Sequence, residues 1–136
     1  MKTVMHDCPD CGAESTMQQR WLRQQCTYGV ADEVRYTAVV PVWQCSVCKA
    51  GYIDGRGMDI EHEALCKRLG VLAPREIREL RKRHGLSRKE LGQLTGFGEA
   101  SIKRWERGAL IQNKSADKFL RLIDDADVLE KLRQLD

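Results

Sequence analysis

The sequence predicts an α+β protein in two parts: a small N-terminal zinc-bound β-ribbon domain over residues 1–57, and an all-α five-helix domain over residues 74–136 built around a helix-turn-helix. Residues 58–73 are expected to form a connecting helix and linker. Three observations carry this. Four of the six cysteines form two matched CxxC pairs, Cys8/Cys11 and Cys45/Cys48. Val34 to Trp43 alternates with strand periodicity. Ser87 to Gly108 reads as two short amphipathic helices meeting at a Gly-containing turn.

Length and composition set the frame. A chain of 136 residues is one ordinary domain or two small ones. With 42% hydrophobic and 32% charged residues it is predicted to be a soluble globular protein. No apolar run has the roughly 18 residues of a membrane span, and the leader, Met1 to Asp7, lacks the apolar core of a signal peptide. A cytoplasmic protein without a membrane partner is expected. No Ser/His/Asp set, phosphate loop or paired carboxylates stands in a credible setting, so the chain does not read as an enzyme. A thiol oxidoreductase using one CxxC is the enzymatic rival, disfavoured by the second CxxC and the missing βαβ context.

A CxxC turn lets two thiolates converge on one ion, and two such turns complete a tetrahedron with no open position. Cys8, Cys11, Cys45 and Cys48 are therefore the expected ligands of one structural zinc ion per chain, and iron fits the same donors. The alternatives are two disulfides or buried free thiols. A cytoplasmic setting disfavours disulfides, and a module this poor in large apolar residues needs a staple. Cys26 and Cys66 lack partners at ligand spacing and read as plain thiols; His6, His62 and His84 receive no role. Between the knuckles, Met17 to Cys26 and Val34 to Trp43 should form a hairpin joined by Tyr28 to Asp32, with Pro41 marking an edge or a bulge. Its exposed edge is a place for a strand of another protein. Gly51 to Gly57 should end the ribbon, and Asp59 should cap a helix over Met58 to Leu69.

Pro74 suits the first turn of the next helix. Ser87 and Glu90 form a capping box for the helix that follows, and Gly96-Phe97-Gly98 supplies the turn. In the helix from Glu99 to Arg107, Ile102 and Trp105 should face inward, leaving Glu99, Ala100, Lys103 and Arg104 outward as candidate base readers. From Arg75 to Gly108 there are ten Lys or Arg against five Glu, a basic excess in a chain whose net charge is only +3. Arg81, Arg88, Lys89 and Ser101 are the candidate phosphate contacts. The bland reading of such a charge run is a solvated helical face. A helix over Ser115 to Asp124 and a last one carrying Val128, Leu129, Leu132 and Leu135 complete the domain. Those four side chains are dimer-interface candidates, with ordinary core packing as the equal alternative.

Ser87 to Gly108, SRKELGQLTGFGEASIKRWERG, with Leu86 before it, resembles the Xre-type helix-turn-helix, including its Trp105-Glu106-Arg107-Gly108 ending. Together with the two CxxC pairs, nearly the whole chain resembles the MqsA/YgiT-type antitoxins. The resemblance implies a homodimer that represses transcription from a palindromic operator in double-stranded DNA, and a zinc domain that neutralises a RelE-like ribonuclease toxin. It implies Arg104 on a base edge and Arg88 on a phosphate. Ala100 stands where the family carries an Asn-type reader, with Glu99 beside it, which implies a different operator sequence; the leader is also longer than the family pattern. A stand-alone phage or chromosomal repressor, its zinc ribbon serving another protein, is the competing function.

Overall fold

The computed structural model describes residues 5–135. Met1 to Val4 of the leader and Asp136 lie outside the described residues. The chain divides into two compact units, one up to Leu65 and one from Cys66 onward. Three strands, β1 (Met17–Tyr28), β2 (Val34–Cys45) and β3 (Gly51–Ile53), precede six helices: α1 (Gly55–Leu69), α2 (Pro74–Arg83), α3 (Arg88–Thr95), α4 (Glu99–Glu106), α5 (Lys114–Ile123) and α6 (Ala126–Arg133).

In the first unit β1 and β2 form a long antiparallel hairpin whose register runs unbroken from Met17 opposite Cys45 to Tyr28 opposite Val34. There is no bulge at Pro41. β3 reaches back only to Val42, so β2 has a neighbour on one side alone at Pro41, where a residue without an N–H is tolerated. Alternation turns Leu22, Ala38, Val40 and Val42 to one face, and Ile53, Ile60 and Ala64 pack against them.

The stretch expected to end the ribbon, Gly51 to Gly57, holds β3 and the first residues of α1. The helix cap is Asp54, correcting the expectation of Asp59. The Asp54 carboxylate accepts the Gly57 N–H at 3.0 Å and also the Trp43 indole N–H at 3.0 Å, so the start of α1 is fixed to the sheet. Asp59 lies within the helix. A Cβ on Gly57 would meet the Ile53 side chain at 2.3 Å, which explains why the first turn of this helix carries glycine.

The second unit holds a small buried group, Cys66, Val71 and Ala73, and one large apolar core. Leu72, Ile77, Leu80, Leu86, Leu91, Ile102, Trp105, Leu120, Ile123 and Leu129 are all buried in it. Caps set the helix phases: Glu76 accepts the Ala73 N–H ahead of α2, Ser87 and Glu90 exchange bonds ahead of α3, and Asn113 and Asp125 accept amides of α5 and α6. The linker enters this unit through a buried polar clamp. Asp117 accepts the Leu72 N–H at 2.7 Å, and the Gln112 side-chain amide donates to the Leu72 carbonyl and to Asp117.

Candidate functional site

The four cysteines of the two knuckles converge. Their sulfur atoms all lie within 4.8 Å of one another, with Cys8 to Cys48 and Cys11 to Cys45 each at 3.7 Å. With metal–sulfur bonds of about 2.3 Å, a tetrahedron has sulfur–sulfur edges of about 3.8 Å, so this donor set fits a four-coordinate ion. The knuckles are built alike. The Gly12 N–H returns to the Cys8 carbonyl and the Lys49 N–H to the Cys45 carbonyl, and both residues have positive φ, 74° and 68°. Backbone N–H groups point at the sulfurs: Cys11 at Cys8, and Val47 and Cys48 at Cys45.

The Thr16 hydroxyl lies 3.2 Å from the Cys45 sulfur. With the Cys48 N–H it pulls the Cys45 thiol down to about 6, against the effect of burial. Cys48 goes the other way, to about 12: a backbone bond at Ala50 lowers it, but burial and the neighbouring sulfurs of Cys8, Cys45 and Cys11 outweigh that. Four thiols this close cannot all ionise by themselves, and a bound dication removes the conflict. Cys26 lies elsewhere, opposite Tyr36 on the hairpin, and Cys66 is buried beside Val71 and Ala73.

The second site is α4 with its supports. Glu99, Ala100, Lys103 and Arg104 are all exposed, while Ile102 and Trp105 are buried. Ser101 is half-buried and Lys89 is exposed. The turn before α4 is held by Gly96 at φ 80° and Gly98 at φ 88°, with the Phe97 ring edge-on to Trp105 at 5.1 Å and to Phe119 at 5.6 Å. Gly92 makes the approach possible. A Cβ there would lie 2.5 Å from backbone atoms of Gly98 and Glu99, so any side chain would push α4 off α3.

Two groups of the expected site residues have partners within the protein. Arg81 does not face solvent as a phosphate contact should. Its guanidinium grips the buried Glu106 carboxylate through two bonds of 2.9 Å and donates to the Leu86 carbonyl, and its side chain is 13% exposed. Arg88 shares that carboxylate at 3.3 Å but stays 38% exposed, so part of its guanidinium remains available outward. Arg78 donates to the Glu106 carbonyl. As for the dimer candidates, Leu129 is buried in its own core, and Val128 and Leu132 pack against that core. Of the four only Leu135 is exposed.

Sequence reasoning missed Glu106, Gly92, Gln112 and Asp117. Glu106 had a signal: Ile102, Trp105 and Glu106 share one helical stripe, so a carboxylate sits where an apolar residue belongs and needs buried cations to meet it.

Helix phase, turn glycines and exposed N-terminal residues of α4 together describe a segment shaped to enter a major groove. The helix-turn-helix family (HTH_3) matches residues 77–128, which span α2 through the start of α6. Residues 77–128 are a helix-turn-helix domain. The chain matches none of the curated proteins with which it was compared. Among the described residues no helix is long and apolar enough to cross a membrane. The helix-turn-helix domain thus makes the chain a DNA-binding regulator, with a four-cysteine cluster able to hold a metal ion outside the matched segment.

Proposed function

We propose that this chain is a dimeric transcriptional repressor and antitoxin, which binds a palindromic operator through α4 and neutralises a ribonuclease toxin through a zinc-bound N-terminal unit. The observation that carries the DNA-binding half is the division of α4: its inward residues are committed to the core and its outward residues are free. Arg104 donates two hydrogen bonds to a guanine, and Glu99 accepts from a cytosine amino group or repels wrong bases. Lys103, Lys89 and the exposed part of Arg88 neutralise phosphates, which makes affinity fall with salt. Two such helices in a dimer sit about 34 Å apart, one turn of DNA. Leu135 and Leu122, both exposed at the C-terminal end, are the apolar residues offered to a second copy.

The zinc assignment rests on the sulfur geometry and the closed donor set, which suit a structural ion. The toxin partner and the domain limits at residues 57 and 74 rest on the resemblance and on the chain's two-part layout.

Arg104→Ala tests the reading directly. In a gel shift at fixed salt the variant should lose discrimination between operator and random DNA, about 1 to 3 kcal/mol per base pair read, with operator affinity falling towards the salt-dependent affinity for random DNA, which is kept. Retained discrimination removes Arg104 from the base-reading set. Co-expression with the product of the neighbouring gene tests the antitoxin half, with a stable complex and relief of ribonuclease activity as the expected result. A neighbour with no ribonuclease activity favours the stand-alone repressor.

A further inference from the structure

One face of the β1–β2 hairpin carries a combination that neither the sulfur cluster nor the helix-turn-helix uses. Leu22, Ala38, Val40 and Val42 face Ile60 and Ala64 of α1, so alternation sends Trp21, Arg23, Arg35, Thr37 and Val39 to the opposite face. There Trp21 is 54% exposed and Val39 50%, and the register makes them diagonal neighbours, with Trp21 opposite Pro41 and Arg23 opposite Val39. The Arg56 guanidinium lies 5.4 Å from the centre of the Trp21 ring, within cation–π range.

The charge pattern is one-sided. Neither 12-residue strand contains an Asp or Glu; their charged residues are Arg20, Arg23 and Arg35. Yet residues 5–65 hold nine Asp and Glu against five Lys and Arg. The unit is acidic, and its arginines are gathered on and around the hairpin. Arg35 meets Glu33 at 3.8 Å in a pair exposed on both sides, which contributes little. No carboxylate reaches Arg23 among the described residues. Aromatic and Arg side chains around an apolar pair are the composition of an interface centre.

We propose that this face docks a partner protein through an acidic segment, with an apolar side chain against Trp21 and Val39 and carboxylates against Arg23, Arg35 and Arg56. Tryptophan and arginine would also suit stacked bases. A nucleic-acid strand, however, carries its charge past the arginine strip into an acidic surround, whereas a short carboxylate-bearing segment stays within the strip. The proposal does not depend on the antitoxin reading, and its test involves no toxin.

The test is an NMR titration of the isotope-labelled full chain with a short peptide alternating Glu and Val. The same peptide with Lys in place of Glu and a thymidine oligonucleotide serve as comparison probes. The Glu peptide should give saturable shifts at the Trp21 indole and the amides of Trp21 to Gln25 and Thr37 to Val39, and the Lys peptide none there. The double variant Arg23→Glu/Arg35→Glu should weaken binding about tenfold or more, while its unperturbed spectrum elsewhere reports an intact fold. Absence of saturable shifts, or equal response to the Lys peptide, overturns the proposal. Shifts of these amides with the oligonucleotide alone overturn it in favour of nucleic acid. Shifts on dilution without any probe overturn it in favour of a second copy.

Discussion

The two units solve the stability problem of small domains in opposite ways. From Cys66 onward, one large core gathers side chains from α2 through α6 and from the linker residue Leu72, and only the small group of Cys66, Val71 and Ala73 stands apart from it. Up to Leu65, the apolar residues fall into two separate small groups, one around the sulfur cluster and one between the hairpin and α1. The second unit has the larger buried core to hold it, whereas the first has four clustered sulfurs that a bound ion would tie together.

Removing the metal should break the comparison open most widely. A structural zinc contributes about 10 to 16 kcal/mol of apparent binding free energy, so a strong chelator or Cys45→Ser should unfold the hairpin unit. Amide shifts of the second unit and its affinity for DNA should survive. Their simultaneous loss would mean that the second core does not suffice. Next in size is Glu106→Ala. It leaves the Arg81 guanidinium buried without its partner, and should cost about 3 to 5 kcal/mol in urea unfolding of the helical unit with the chelator-sensitive unit unchanged. A cost below about 1 kcal/mol would show that Arg81 swings out to water.

Acid supplies a smaller, graded probe of the second unit. Burial pushes the Asp117 carboxyl up, but the Leu72 N–H, Arg121 and Gln112 together hold it below its usual 3.8. At Asp124 burial is likewise outweighed, by Arg83 and His84. Both folded values lie below the unfolded ones, so the stabilisation is complete above the unfolded value and drains away as pH falls through about 4 and below. Asp117→Asn should flatten that slope in acid-unfolding curves followed by helical circular dichroism. An unchanged slope would assign the acid sensitivity to other carboxylates. The smallest effect expected is at Lys49, which holds φ 68° where the matching knuckle uses glycine. Lys49→Gly should raise the thermal stability of the metal-loaded hairpin unit by up to about 1 kcal/mol.

What the sequence made legible follows the same divide between local and distant causes. The knuckles, the capping box of Ser87 and Glu90 and the Gly96 to Gly98 turn are written in adjacent residues, and each appears where its spacing places it. The cap at Asp54 was hidden because β3 is only three residues long, leaving glycines that resemble a loop. Gly92 is uninformative in sequence, since the need for it comes from the backbone of Gly98 and Glu99 crossing beside it. Arg81 looks like any exposed base in a basic run until Glu106 is found beneath it. Leu129 belongs to an apolar stripe whose partner cannot be read from the stripe itself, and the core of its own chain claims it.

The arrangement of α4 has a consequence for how such a regulator changes over generations. The side chains that anchor this helix, Ile102, Trp105 and Glu106, are buried, whereas those of Glu99, Ala100, Lys103 and Arg104 are exposed. Mutations in the outward set leave the anchors intact, so, with base reading by that set as proposed, a descendant would acquire a new address on the chromosome without first surviving a poorly folded intermediate. Ala100, the smallest of the four, is the position with most room to gain.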